Sequence, residues 1–320
     1  MRRFPDDLPR GVIPATLLAF NDDYSIDWAD TRKHLRDVAA VHGLSALTVN
    51  GHASEVSSCT FDEQRELLEA TVDEIGDRLP VISGVYADGS FEAARLARMM
   101  DRAGASALLV FPSYSLAMGG QLRPEMAVAH FKAIADATDL PLICFQYPER
   151  SNVSYPLDVL LKLFDAVPAV RAIKDWCNDP MLHEKHIRTL QTLPRPVNVL
   201  TTHSSWLMAS LTLGCNGLLS GSGSVIADLQ AALWRAVQAN DLDKAKAIND
   251  RIYPLAHAFY APPFLDMHNR MKEALVLLGR MKRAVVRPPL MKLSETELAR
   301  IRLAIQSAGL APAGALDLVA

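Results

Sequence analysis

Short runs rich in β-branched and other apolar residues alternate along this chain with longer segments of helical hydrophobic period. The alternation occurs eight times. The predicted strands cover residues 12–18, 46–50, 80–85, 107–111, 142–147, 170–174, 197–202 and 217–220. Helical spacing covers 26–41, 62–78, 91–102, 124–137 and 156–166, and 227–239 follows the last strand. Strands separated by helices of this length predict βαβ units and a parallel sheet. A weak repeat supports the count: His42-Gly43-Leu44, Ala103-Gly104-Ala105 and Leu213-Gly214-Cys215 each place a glycine between a helix and the next strand. A helix ends there on a residue able to turn left-handed. Eight units without a long linker predict a closed (β/α)8 TIM barrel rather than an open sheet, and no G-x-G-x-x-G follows the first strand. Three further helices, at 244–259, 264–278 and 295–307, are set off by Pro254, Pro262-Pro263 and Pro288-Pro289. The expected organisation is a barrel bearing the active site over 1–240 and a C-terminal helical extension over 241–320. Such an appendage is expected to cover a barrel flank or build a subunit contact.

Composition narrows the class without naming a reaction. Half of the 320 residues are apolar, 22% are charged and the net charge is −3, which offers no basic surface for nucleic acid or an anionic membrane. No apolar run approaches the roughly 20 residues of a membrane span, and no apolar stretch follows the basic residues of the first ten, so a cytoplasmic location is expected. The cysteines Cys59, Cys144, Cys177 and Cys215 show no C-x-x-C spacing and are predicted to be free thiols.

Active sites of TIM barrels lie at the C-terminal ends of the strands. There Lys174 stands out. With period two, Val170, Ala172 and Lys174 share one face of the sixth strand, while Arg171 and Ile173 take the other. A lysine among apolar walls loses its proton more easily and becomes a nucleophile toward carbonyls. The alternative is a strand-end lysine paired with the adjacent Asp175. The other lysines lie in helices or loops, where a solvated role is the default. His183 and His186, three apart on a polar helix, lack H-E-x-x-H spacing and read as a solvated face.

The segment Val170-Arg171-Ala172-Ile173-Lys174-Asp175 resembles the Schiff-base strand of the dihydrodipicolinate synthase / N-acetylneuraminate lyase family. The likeness continues through Gly51-His52-Ala53-Ser54-Glu55, where the family has G-T-T-G-E, and through Phe111-Pro112-Ser113-Tyr114. It extends over 141–150 and to Lys272-Glu273-Ala274-Leu275, Arg287-Pro288-Pro289 and Ala308-Gly309-Leu310. The resemblance implies a class I lyase, an aldolase or hydro-lyase. In such an enzyme Lys174 condenses with pyruvate or a related 2-oxo acid, an aldehyde is the candidate second substrate, and no cofactor or metal takes part. It also implies a homo-oligomer, dimer or tetramer, in which Tyr114 reaches the neighbouring subunit's site.

The departures from the family pattern matter as much. The fifth-strand tyrosine that passes protons is replaced by Phe145, and the loop threonine by His52, followed by Ala53. A phenyl ring cannot carry a proton. Tyr147, two residues on, is either a relocated phenol or an aromatic lid. His52 is either a replacement acid–base group titrating near neutrality or a loop hydrogen-bonding group. The amides of His52, Ala53 and Ser54 are candidates to hold the substrate carboxylate, and Gly51 is a further substrate-binding candidate of that loop. Arg150 matches an arginine that holds a second substrate's carboxylate, or is a solvated loop residue. Leu219 and Ser220, ending the eighth strand, border the 2-oxo acid in the family, and His203 either faces the pocket or begins a helix. True dihydrodipicolinate synthase activity is not expected, because two of the three relay hydroxyls are missing. Two other classes stay open: a metal-dependent barrel using His52, Glu55, Asp175 and His203, and a non-catalytic barrel that binds a 2-oxo acid.

Overall fold

The structure, a computed structural model, describes residues 3, 4, 6 and 8–311. Eight parallel strands pair in the order β1-β8-β7-β6-β5-β4-β3-β2. They are β1 (Gly11–Pro14), β2 (Leu47–Val49), β3 (Val81–Val85), β4 (Ala107–Val110), β5 (Leu142–Gln146), β6 (Val170–Asp175), β7 (Asn198–Thr201) and β8 (Gly217–Ser220). Two parallel bridges, Val12 to Leu44 and Ala15 to Thr48, bring the segments of β1 and β2 together and close the ring. Helices α1 (Trp28–Ala39), α2 (Phe61–Ile75), α3 (Ser90–Arg102), α4 (Pro124–Ala135), α5 (Leu157–Ala166), α6 (Pro180–Leu190), α7 (Leu207–Thr212) and α8 (Gly223–Gln238) follow the strands in turn. This is the TIM barrel that the alternation predicts.

The strand residues are almost all buried, as a sheet covered by helices outside and by its own side chains inside requires. The repeated glycines have the expected left-handed conformation, with φ of +94° at Gly43 and +97° at both Gly104 and Gly214. The first strand is shorter than predicted. Its apolar run continues to Phe20, but after Ala15 and Thr16, whose amides still bond the Ser220 and Thr48 carbonyls, the backbone leaves the ladder.

The extension consists of α9 (Leu242–Phe259), α10 (Met267–Leu277) and α11 (Glu295–Ser307). The predicted 264–278 helix opens instead as a separate 3-10 turn, Phe264–Asp266, before α10. The extension covers more than a barrel flank. Tyr260, Phe264, Met267 and His268 line the cavity at the C-terminal ends of the strands, so the segment roofs the mouth as well as packing on the barrel. No helix among the described residues is long and apolar enough to cross a membrane.

Candidate active site

The register of the sheet sets Lys174 level with Phe145 on β5 and Leu200 on β7. Parallel neighbours in register point the same way, so all three turn into the barrel. Lys174 Nζ lies 4.1 Å from the centre of the Phe145 ring, and the side chain is buried with no carboxylate beside it. Burial disfavours the ammonium and pushes the amine down to about 7. The alternative pairing with Asp175 does not occur, because Asp175 faces the opposite side of the strand.

There Asp175 accepts hydrogen bonds from Nδ1 of His183 and of His186, each at 2.8 Å, and from the Cys177 amide at 3.0 Å. Burial alone would raise its carboxyl; the facing His186 charge and the two imidazole hydrogen bonds overcome this and hold it well below the carboxylate range. His183 and His186 are therefore not a solvated face. Both are fully buried, because α6 lays its inner side against the end of β6. Atoms of Asp175, Cys177, His183 and His203 lie within 4.8 Å of one another, and each of the four side chains is engaged in hydrogen bonds. His203 Nε2 accepts the Asn178 amide at 3.1 Å and His183 Nε2 is 3.0 Å from the Ser210 hydroxyl. The cluster reads as a brace behind β6.

The loop after β2 is shaped by two left-handed residues, Asn50 (φ 53°) and Glu55 (φ 52°), which bracket a 3-10 turn over His52–Ser54. Glu55 ties this loop to the extension through a buried ion pair with Lys272 Nζ and by accepting the Arg287 amide at 3.0 Å. Lys272 thus departs from the solvated default, since a buried ammonium needs such a partner. The amides of His52 and Ala53, first in their turn, have no acceptor within it. The Ser54 amide is taken by the Gly51 carbonyl at 3.1 Å, and its hydroxyl donates to the Thr16 carbonyl at 2.8 Å. Two of the loop amides rather than three are thus open to a ligand. Gly51, His52 and Ala53 line the cavity, and so does Thr48, whose buried hydroxyl has no hydrogen-bond partner.

His52 and Tyr147 meet. The imidazole Nε2 and the phenol share a short hydrogen bond, and the His52 ring sits edge-on to Phe111 at 4.8 Å. Burial, helped by the nearby Lys174 charge, pushes His52 down to about 3, while burial pushes the Tyr147 phenol up. The expectation of a His52 ionisation near neutrality is thereby overturned: both groups are neutral at ordinary pH. Tyr147 packs on Phe145 at 4.7 Å and on Trp176 at 5.5 Å.

The remaining candidates divide. Phe145 and His203 line the cavity, and His203 is pushed down to about 3 by burial. Leu219 is buried in the core, and Ser220 turns its hydroxyl to Ser204 (2.9 Å) and Ser222 (3.0 Å), leaving Gly221 to line the cavity. Arg150 is exposed in a separate groove beside Asp179 and Lys185. Tyr114 is 49% exposed and outside its own chain's cavity. Sequence reasoning missed Thr48, Trp176, Tyr260, Phe264, Met267 and His268. Trp176 was within reach, since it lies two residues past Lys174 on the same strand face; the extension residues carried no local signal.

With this geometry in view, the comparisons are consistent with one another. The 4-hydroxy-tetrahydrodipicolinate synthase of Neisseria meningitidis serogroup B is 28% identical over 304 residues, covering 94% of this chain and 99% of the relative. A solved structure described as the first monomeric dihydrodipicolinate synthase variant superposes with a TM-score of 0.85 at 22% identity, covering 94% of this chain and 97% of its own. YagE, a prophage protein from E. coli K12 in complex with pyruvate, gives 0.84 at 24% identity, with 94% and 99% covered. The model of the dihydrodipicolinate synthetase family matches residues 8–308. The chain belongs to that family, whose members are lyases of the class I aldolase type.

Proposed function

We propose that this protein is a Schiff-base lyase acting on pyruvate or a related 2-oxo acid, with Lys174 as the nucleophile. The observation that carries the reading is the Lys174 amine: buried, unpaired with any acid, facing a cavity and about half neutral near pH 7. Its lone pair attacks the 2-oxo carbon, water leaves, and the resulting iminium draws electrons from the neighbouring carbon. The amides of His52 and Ala53 and the Thr48 hydroxyl, all without partners in residues that line the cavity, support a seat for the substrate carboxylate. The His52–Tyr147 pair is the proton route. Because both groups are neutral, the proton moves through their shared hydrogen bond rather than by building an imidazolium. A carbon–carbon bond or a hydroxyl is then made or broken at the activated carbon. Pyruvate bound in the structure of YagE supports the choice of acid.

With Phe145 where the family has tyrosine, true dihydrodipicolinate synthase activity is not what we propose. The same replacement is the observation behind a second reading, a barrel that binds the 2-oxo acid without turnover. Incubation with pyruvate and borohydride, read by intact mass and peptide mapping, tests the first. A single reduced adduct on Lys174 is expected, absent in Lys174→Ala and indifferent to chelators. A modified lysine elsewhere, or no adduct with any 2-oxo acid, overturns the proposal. Turnover with an aldehyde separates the two readings.

A further inference from the structure

Resting on that reading of Lys174, we propose that the outer half of the cavity receives an aryl aldehyde, a flat and uncharged acceptor, rather than an aldehyde bearing a carboxylate. Three features of the cavity, about 250 Å³ in volume, carry this.

The first is charge. Among the described residues that line the cavity, Lys174 is the only lysine or arginine, and none is acidic. Once Lys174 holds the 2-oxo acid, the iminium charge is answered by that acid's own carboxylate. A second carboxylate would enter a desolvated site with no cation to meet it, which is strongly unfavourable. The histidines do not fill the gap. His52 and His203 are pushed down to about 3 and His268 well below its usual range, in each case chiefly by burial.

The second feature is the wall. Trp176 stacks on Phe264 with ring centres 5.3 Å apart and planes 26° from parallel, and Phe264 leans on Tyr260 at 5.7 Å and 35°. Phe145 continues the surface beneath Trp176 at 6.4 Å, and Met267 adds a thioether beside it. Rings spaced and inclined in this way form a surface on which another aromatic ring packs at 4.5–7 Å. The opposite arc is polar: His203 binds Thr201 at 3.0 Å and the Asn178 amide, and Ser204 binds Ser220, while Asn178, Thr202 and Ser205 also line it.

The third is His268, which lines the cavity from α10 and has no hydrogen-bond partner among the described residues. It occupies space that a side chain at Gly221 would take, since a Cβ there would lie 2.7 Å from its Nε2. An imidazole free in this position is suited to the acceptor's oxygen. The enamine carbon on Lys174 bonds to the aldehyde carbon, and the aldehyde oxygen takes a proton, replacing the one lost from the pyruvate methyl group. Hydrolysis of the imine releases a 4-aryl-4-hydroxy-2-oxobutanoate and returns the free amine. The reverse reaction cleaves that compound.

The test gives the wild-type enzyme pyruvate with benzaldehyde, succinic semialdehyde or glyceraldehyde, and follows the adduct acids by liquid chromatography and mass spectrometry. A kcat/KM for benzaldehyde at least about tenfold above both others is expected, the size of one aromatic contact of roughly 1.4 kcal/mol. Trp176→Leu and Phe264→Leu should each raise the KM for benzaldehyde several-fold, and trapping of pyruvate by borohydride checks that each variant is folded. His268→Leu should lower kcat, with His268→Gln recovering part of it. No pyruvate adduct overturns the Lys174 reading and this one with it. A pyruvate adduct with the semialdehyde or glyceraldehyde preferred, or with no benzaldehyde product, overturns this proposal alone.

Discussion

At the scale of single residues, the chemistry turns on what burial does to an amine and to an imidazole. Both lose their protons in the same apolar cavity, but they start from different places. An ordinary lysine is only about one part in a thousand neutral near pH 7.4; burial brings Lys174 to about 7, into the working range. The same burial takes His52 from the working range to about 3, out of it. The sign of the pH dependence follows. Below about 7 the amine is protonated and cannot attack, so the rate of imine formation with pyruvate should rise through that pH and level off above it. Because His52 stays neutral throughout, His52→Gln should leave that ionisation in place while slowing turnover by up to the 10²–10⁴ of a lost acid–base group. A midpoint that moves with His52→Gln, seen in the pH profile of borohydride trapping, would return the ionisation to the histidine. The inward position of Lys174 was legible in the sequence, since a strand-end lysine above small apolar residues is a local pattern. The protonation state of His52 was not, because it depends on Phe111, Phe145 and Tyr147, which come from two other strands and their loops.

At the scale of an element, β6 shows how strand alternation divides one dipeptide between two tasks. Lys174 turns into the barrel and Asp175 turns out, where His183 and His186 hold its carboxylate from α6. Removing the carboxylate leaves two buried imidazoles and the Cys177 amide without their acceptor. We expect Asp175→Ala to cost about 3–5 kcal/mol, the scale for breaking a buried charged pair. The checking measurement is the urea midpoint at constant slope, and a loss below about 1 kcal/mol would mean that the brace is dispensable. The carboxyl is held below its unfolded value, so its contribution is present above about pH 4 and is lost as pH falls toward the folded value. The strands themselves were readable because their period and glycine punctuation are local. The burial of His183 and His186 was not, because composition makes α6 look solvated and only the docked helix reveals which side faces the sheet.

At the scale of the whole molecule, the extension completes the site, and this was the least legible part of the chain. A rule that inspects strand ends cannot find His268 or Phe264, which arrive from beyond residue 260, or the Lys272–Glu55 pair that fastens the extension to the β2 loop. Between β4 and α4 and into that helix, Tyr114, Met118, Leu122 and Met126 are 49%, 100%, 72% and 38% exposed. Four large apolar side chains exposed within thirteen residues are more than the single scattered ones that a monomer's surface ordinarily carries. We expect a second copy to cover them, which would also carry Tyr114 toward a neighbouring cavity, as the family resemblance implies. Fold alone does not decide this, since a structure with the same architecture is described as monomeric. Light scattering at micromolar concentration should give a dimer or tetramer. Met118→Asp together with Leu122→Asp, both away from the cavity, should shift the mass toward the monomer. If assembly completes the site, turnover should fall with the shift while pyruvate trapping on Lys174 persists. A wild-type monomer with full turnover would show that these side chains serve something else and that each barrel works alone.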